Sequence, residues 1–153
     1  MDISVLDQLI YQRFIQPTVG RIPQYVGVEF ELPLVNLKQE PVSFPVVHAL
    51  VDAFLERFDF IGAARDEEGR ICSARSEENG DDLSFDCSYN TLELSFGRVR
   101  NLNQVEERFH SYYTFIRSFL KEHGHSITGM GINPRYPYNR MEPVPNGRYR
   151  INS

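Results

Sequence analysis

Four carboxylates fall at strand spacing in two segments: Glu29 and Glu31 in Tyr25-Val-Gly-Val-Glu-Phe-Glu-Leu32, and Asp86 and Glu93 in Asp86-Cys-Ser-Tyr-Asn-Thr-Leu-Glu-Leu-Ser-Phe96. Residues two apart on a strand project to one side, so Glu29 and Glu31 share a face while Val28, Phe30 and Leu32 share the other. Neighbouring anions repel, and a hard divalent cation such as Mg2+, which takes oxygen ligands, relieves that repulsion. Glu93 stands between Leu92 and Leu94, where a carboxylate is costly to bury unless it is paired or metal-bound. If the second segment pairs with the first, the four acids converge on the chemistry of a metal–nucleotide site. The competing expectation for Glu29 and Glu31 is the solvated face of an edge strand, where charge is common and useful.

The elements that must position these acids follow from periodicity. Val5, Leu6, Leu9, Ile10, Phe14 and Ile15 lie near helical spacing, and Pro17 stops the run, which predicts an amphipathic helix over 3–15. Residues 24–35 form a long strand with the carboxylates in its middle, and Pro33 limits ladder bonding near its end. Ser43 is placed as an N-cap with Pro45 in the first turn, opening a helix whose apolar face is Val46, Val47, Leu50, Val51, Phe54, Leu55 and Phe58. The polar stretch 65–82 contains a short strand over 71–74. Strands over 83–87 and 91–96 are joined by Ser88-Tyr-Asn90 in a hairpin-like connection. A helix over 102–123 has Val105, Phe109, Tyr112, Tyr113, Ile116, Phe119 and Leu120 as its core stripe and Gly124 as its stop, and 127–132 is a last short strand. From Asn133 onward proline and arginine replace any helix or strand period, so 133–153 is expected to be an extended loop lying against something else. The whole reads as one α+β domain over 1–153, with a mainly antiparallel sheet and helices packed on one face.

Composition narrows the function classes. A hydrophobic fraction of 41% with 11 Phe and 8 Tyr argues for a folded chain. A net charge of -5, without a basic run, argues against nucleic acid. No apolar run approaches the ~20 residues that span a bilayer, and no signal peptide is legible, so a cytoplasmic protein away from membranes is expected. Cys72 and Cys87 lack a CxxC context and are read as reduced apolar fillers. His48, His110, His123 and His125 lack metal spacing and are read as surface or core-edge residues. Gly129-Met-Gly131-Ile-Asn-Pro134 is a glycine-rich turn without the GK[ST] of a P-loop. Arg135, Arg140, Arg148 and Arg150 offer planar donor forks to carboxylate or phosphate, against the plainer reading of a polar tail.

In this order the segments resemble the glutamate–cysteine ligase superfamily of ATP-dependent carboxylate–amine ligases. Val26-Gly-Val-Glu-Phe-Glu31 resembles the family's opening strand with its G-x-E-x-E pattern. Asp86 and Glu93, an acid pair seven residues apart, resemble a pattern ending in Leu-Glu-Leu. Gly129 to Pro134 and the later Pro145-Asn-Gly-Arg-Tyr149 resemble the G-x-G-x-x-P and P-x-G-R-Y segments. The resemblance covers residues 24–150 and implies the N-terminal part of an incomplete, glutamine-synthetase-like catalytic sheet. It implies ATP as co-substrate, Mg2+ or Mn2+ as cofactor, and glutamate with cysteine or another amine as partners, a role in glutathione biosynthesis. It implies metal ligation at Glu29, Glu31, Asp86 and Glu93, with Glu31 and Asp86 left open between metal and the substrate amine. Arg148 is implied as the catalytic residue at substrate carboxylate or phosphate, and Tyr149 as its partner in positioning the nucleotide loop. The alternative is a non-catalytic module whose open sheet recruits a second chain or copy to complete the fold.

Overall fold

The longest strand, β1 (Val26–Asn36), changes neighbour partway along its length. Its residues 26–33 pair with β5 (Thr91–Val99), and its residues 34–36 pair with β6 (His125–Ile127). Pro33, which has no N–H to offer a ladder, sits at the changeover and accepts from Thr128 N–H through its carbonyl. Gly27 lies in an irregularity of register between Val26 and Val28, a place where a residue without Cβ is at home. A computed structural model describes residues 3–20, 24–134, 137 and 142–147. Its other strands are β2 (Ile61–Arg65), β3 (Ile71–Arg75) and β4 (Asp82–Phe85). The sheet order is β2-β3-β4-β5-β1-β6, antiparallel throughout.

Strand alternation gives this sheet two unlike faces. On one, Leu32, Leu83, Phe85, Leu92, Leu94, Phe96 and Ala74 are buried under α2 (Phe44–Arg57) and α3 (Leu102–Glu122). α2 contributes Val47, Leu50, Val51 and Phe54, and α3 contributes Val105, Tyr112, Ile116 and Leu120, each at helical spacing. Burial of one such side chain stabilises by roughly 1.5–3 kcal/mol. Phe54 sits at the centre of an aromatic cluster with Phe58, Phe60 and Tyr112, and Phe30 stacks on Phe109 at 4.3 Å. The other face of the sheet carries the polar residues described below.

Three polar ties fasten the helices and turns to the sheet. Asp81 is fully buried and accepts from Gly97 N–H (2.9 Å), Arg108 Nη1 (2.6 Å) and Tyr112 O–H (3.0 Å). Asp66 is buried in the β2–β3 turn and accepts from Tyr89 O–H at 2.7 Å and from the N–H groups of Glu68 and Arg70. His125 is buried, not at the core edge as its spacing suggested; Nε2 accepts from Ser43 N–H while Nδ1 lies 2.8 Å from the His123 carbonyl. Ser43 is the N-cap residue of α2 but makes no side-chain cap hydrogen bond, whereas Asn101 caps α3 by accepting from Gln104 N–H.

Several boundaries differ from the sequence expectation, each for a local reason. β2 was not expected, because Ile61-Gly-Ala-Ala-Arg65 carries too little apolar alternation to announce a strand. β4 ends at Phe85 because Cys87 takes a left-handed conformation (φ 58), so Asp86 lies in the turn that follows. The last strand begins at His125, directly after Gly124 (φ 70), and ends at Ile127. Cys72 is buried as expected, but Cys87 is exposed and is no apolar filler. α1 (Ile3–Ile10) passes into a π-turn over Tyr11–Ile15 and a 3-10 turn over Gln16–Thr18. Its apolar residues Val5, Leu6, Leu9 and Ile10, with Phe14 and Ile15 beyond, are all exposed, so the helices covering the core are α2 and α3. Among the described residues no helix is long and apolar enough to cross a membrane. The tail, where described, does lie against the body: Val144 is buried, its N–H bonds to the Cys87 carbonyl, and Pro145 accepts from Glu67 N–H.

Candidate functional site

The register of the sheet sorts the polar face into two rungs. Arg75 pairs with Asp82, Asp82 with Ser95, and Ser95 with Glu29. One step along, Ser84 pairs with Glu93, and Glu93 with Glu31. Glu31 and Glu93 are thus direct cross-strand neighbours, an arrangement in which like charges destabilise the bare sheet. Asp86 continues the face past the end of β4, its N–H bonded to the Thr91 carbonyl.

Over these rungs lies a concavity of about 500 Å³ lined by Glu29, Ser73, Arg75, Asp82, Glu93 and Asn146, with Ser84, Asp86 and Ser95 among its other walls. Of the four acids singled out by spacing, Glu29, Asp86 and Glu93 line this cavity; Glu31 stands beside Glu93 on the same face but outside the lining. Ser95 Oγ donates to Glu93 Oε1 at 2.8 Å, orienting that carboxylate. Asp86 Oδ1 accepts from Cys87 Sγ at 3.3 Å. Glu29, Glu31 and Asp86 are exposed and Glu93 is half-buried, and the only side-chain hydrogen bonds described for them are those from Ser95 and Cys87. The open face is polar and charged, as a ligand site demands, and not apolar as a protein interface core would be.

A hard cation suits this donor set, in which carboxylate and hydroxyl oxygens outnumber the one thiol, Cys72, and the one side-chain amide, Asn146. Among the described residues no three acid, imidazole or thiol groups stand close enough to cage an ion. The face offers one or two carboxylates per ion, which fits Mg2+, a cation that keeps several waters and completes its shell with substrate phosphates.

Asp82, Ser73, Ser84, Ser95 and Arg75 belong to the cavity but were not singled out by sequence. Ser84 and Ser95 had a legible signal: each is a small polar residue between large apolar ones, Leu83-Ser-Phe85 and Leu94-Ser-Phe96. Arg75 and Asp82 fall at strand ends, where charge is ordinary and carries no signal. Asn146 brings the tail to the cavity wall. Arg148 and Tyr149, the expected catalytic and nucleotide residues, lie outside the described residues, as do Arg135, Arg140 and Arg150.

Of the groups with shifted titrations, Cys72 borders the cavity, and Tyr112, Asp66 and His48 lie outside its lining. Tyr112 is pushed up to about 12 by burial and the Asp81 charge, and burial also raises the Cys72 thiol. Burial works to raise Asp66, but hydrogen bonds from Tyr89 and the turn backbone outweigh it and hold the carboxyl below its ordinary value. Burial, then the Arg70 charge, lowers His48.

The architecture is an antiparallel α+β layer with one apolar, helix-covered face and one acid-bearing face over a cavity. Residues 25–153 match the model of glutamate-cysteine ligase family 2 (GCS2), and the chain belongs to that family. The match begins just before β1 and leaves α1 outside it. No curated protein matches the chain.

Proposed function

We propose that this chain carries the metal–nucleotide face of a glutamate–cysteine ligase-type enzyme. In that reaction a glutamate γ-carboxylate oxygen attacks the γ-phosphorus of ATP and ADP leaves. The amine nitrogen of cysteine or another amino acid then attacks the acyl carbon, phosphate departs, and the amine loses a proton. The observation that supports this reading is the pair of rungs that sets Glu29, Glu31 and Glu93 on one polar sheet face, with Glu29 and Glu93 opening into one cavity.

Glu29 and Glu93 are the principal holders of Mg2+ or Mn2+ in this proposal; Glu31 and Asp86 either add to the metal shell or receive the substrate ammonium. The bound cation would offset the charge of the phosphates as the phosphoryl group moves. Ser95 keeps the Glu93 carboxylate aimed by its hydrogen bond. Arg148, next in sequence to Gly147, would meet phosphate or carboxylate oxygens through its planar fork, with Tyr149 positioning that loop. Titration of the purified chain with Mn2+, followed by electron paramagnetic resonance of the unbound ion, tests the assignment. Mn2+ affinity is expected to rise when a non-hydrolysable ATP analogue is present, and Glu29→Ala is expected to remove that rise. The same rise in the variant would remove Glu29 from the metal shell.

A second reading, assembly with a partner chain, is favoured by a different observation. Among the described residues β6 covers only the Leu34–Asn36 end of β1, so the outer edge of residues 26–32 has no strand partner. A partner strand on that edge would wall the cavity beside Glu29 and Glu31. Mass measured against concentration tests it: a fixed monomer mass over the micromolar range would argue against self-assembly.

A further inference from the structure

The carboxylate-lined cavity contains one cation among its described lining residues, Arg75, and its geometry gives that cation a task. Arg75 Nε donates to Asp82 Oδ2 at 3.0 Å, and Nη2 lies 3.0 Å from the same oxygen. The other oxygen of Asp82 accepts from Ser73 Oγ at 3.1 Å. Both oxygens of Asp82 are therefore engaged by protein donors, and its side chain is only 14% exposed, against 62% for Arg75. Asp82 is a support that fixes the plane of the guanidinium. Nη1 and the second hydrogen of Nη2 remain, and they form the end-on fork that grips a carboxylate through two parallel hydrogen bonds.

Position adds the second half. Arg75 and Glu29 are the two ends of one rung, Arg75–Asp82–Ser95–Glu29, so the cavity floor offers the outer N–H donors of an Asp82-paired guanidinium at one end and an exposed carboxylate at the other. At the usual strand spacing, three intervals separate their backbones by about 14 Å, which the two side chains shorten from both sides. A ligand laid along this rung needs an anionic group at the Arg75 end and a cationic or metal-bound group at the Glu29 end. An amino acid carries that polarity within itself, carboxylate against ammonium, whereas a triphosphate, anionic at every phosphate, acquires it only through a bound metal.

We propose that Arg75, held by Asp82, is the carboxylate anchor for the amino-acid substrate in this cavity. This rests on reading the cavity as the ligase site, and the experiment separates the two. Isothermal titration measures L-glutamate and, independently, Mg2+ with a non-hydrolysable ATP analogue, against the parent chain, Arg75→Gln and Arg75→Lys. The neutral variant is expected to bind glutamate roughly tenfold to a hundredfold more weakly, as loss of a charge-assisted contact implies, with nucleotide affinity unchanged. Lysine, with charge but no fork, is expected to fall between.

A second comparison protects the test from a folding artefact: glutamate against its two monoamides. The parent chain is expected to discriminate against the amide of the anchored carboxylate, and Arg75→Gln to lose that discrimination. Glutamate affinity and discrimination unchanged in Arg75→Gln would overturn the anchor while leaving the metal–nucleotide reading intact. A parent chain that binds neither glutamate nor nucleotide would overturn both.

Discussion

Two sets of carboxylates in this molecule face opposite fates. Asp66 and Asp81 are buried, and protein donors take up their oxygens: Tyr89 and two turn amides for the first, Gly97, Arg108 and Tyr112 for the second. Glu29, Glu31, Asp86 and Glu93 are exposed or half-buried, and the only hydrogen bonds described for their side chains come from the neighbouring Ser95 and Cys87. An acid whose lone pairs are consumed by the fold is a strut. An acid held on a rigid strand with its lone pairs left over can serve a ligand. The difference lies in donors supplied, not in residue type.

That contrast is most sharply broken by removing a strut. Asp81→Ala strips the partner from Arg108 and is expected to cost roughly 3–5 kcal/mol in urea unfolding. Glu29→Gln and Glu93→Gln are expected to stay within about 0.5 kcal/mol of the parent, or to stabilise it by relieving like-charge repulsion. Equal losses in both sets would erase the distinction. Next comes Gly97→Ala. A Cβ there would collide with the Asn79 carbonyl oxygen beside the Asp81 strut, and overpacking of this kind costs about 1–3 kcal/mol. Thermal melts of Gly97→Ala indistinguishable from the parent would mean that the turn yields easily.

Tyr89→Phe is expected to cost about 1–2 kcal/mol by taking one donor from Asp66. It also carries a pH signature. The Asp66 carboxyl is held below 3.8 in the fold, so its contribution is complete above that value and is lost as pH falls through the folded value. Acid titration of stability should therefore be shallower below pH 3.8 in Tyr89→Phe. The smallest effect is expected at His48, whose folded value lies below 6.5. As pH falls through 6.5 the unfolded chain gains a proton that the folded imidazole refuses, so stability declines from there down to the folded value. His48→Gln should flatten that limb, and an unchanged slope would place the titration elsewhere.

The same contrast explains what was legible in the sequence. The shared face of the candidate acids was legible because Glu29, Glu31 and Glu93 sit at alternate positions among Val28, Phe30, Leu92 and Leu94, a pattern strand geometry reads directly. The helices α2 and α3 and the strands β1, β3 and β5 were legible for the same reason. The struts were not: Asp66 and Asp81 lie in polar stretches beside Gly69 and Gly80, where local composition says only turn. Their donors Tyr89 and Tyr112 come from 23 and 31 residues away, a distance no local pattern carries. Arg75 was missed likewise, because its pairing with Asp82 depends on the β3–β4 register. The exposure of α1 was also unreadable, since an amphipathic stripe records that a helix has something to bury, not where.

The central claim, that the open acids form a metal–nucleotide face, is tested most directly by calorimetric titration of the purified chain with Mg2+ and a non-hydrolysable ATP analogue, repeated on Glu93→Ala. The account predicts saturable binding by the parent chain and its loss in the variant, with thermal stability preserved. A Glu93→Ala chain that binds the nucleotide as tightly as its parent would contradict it.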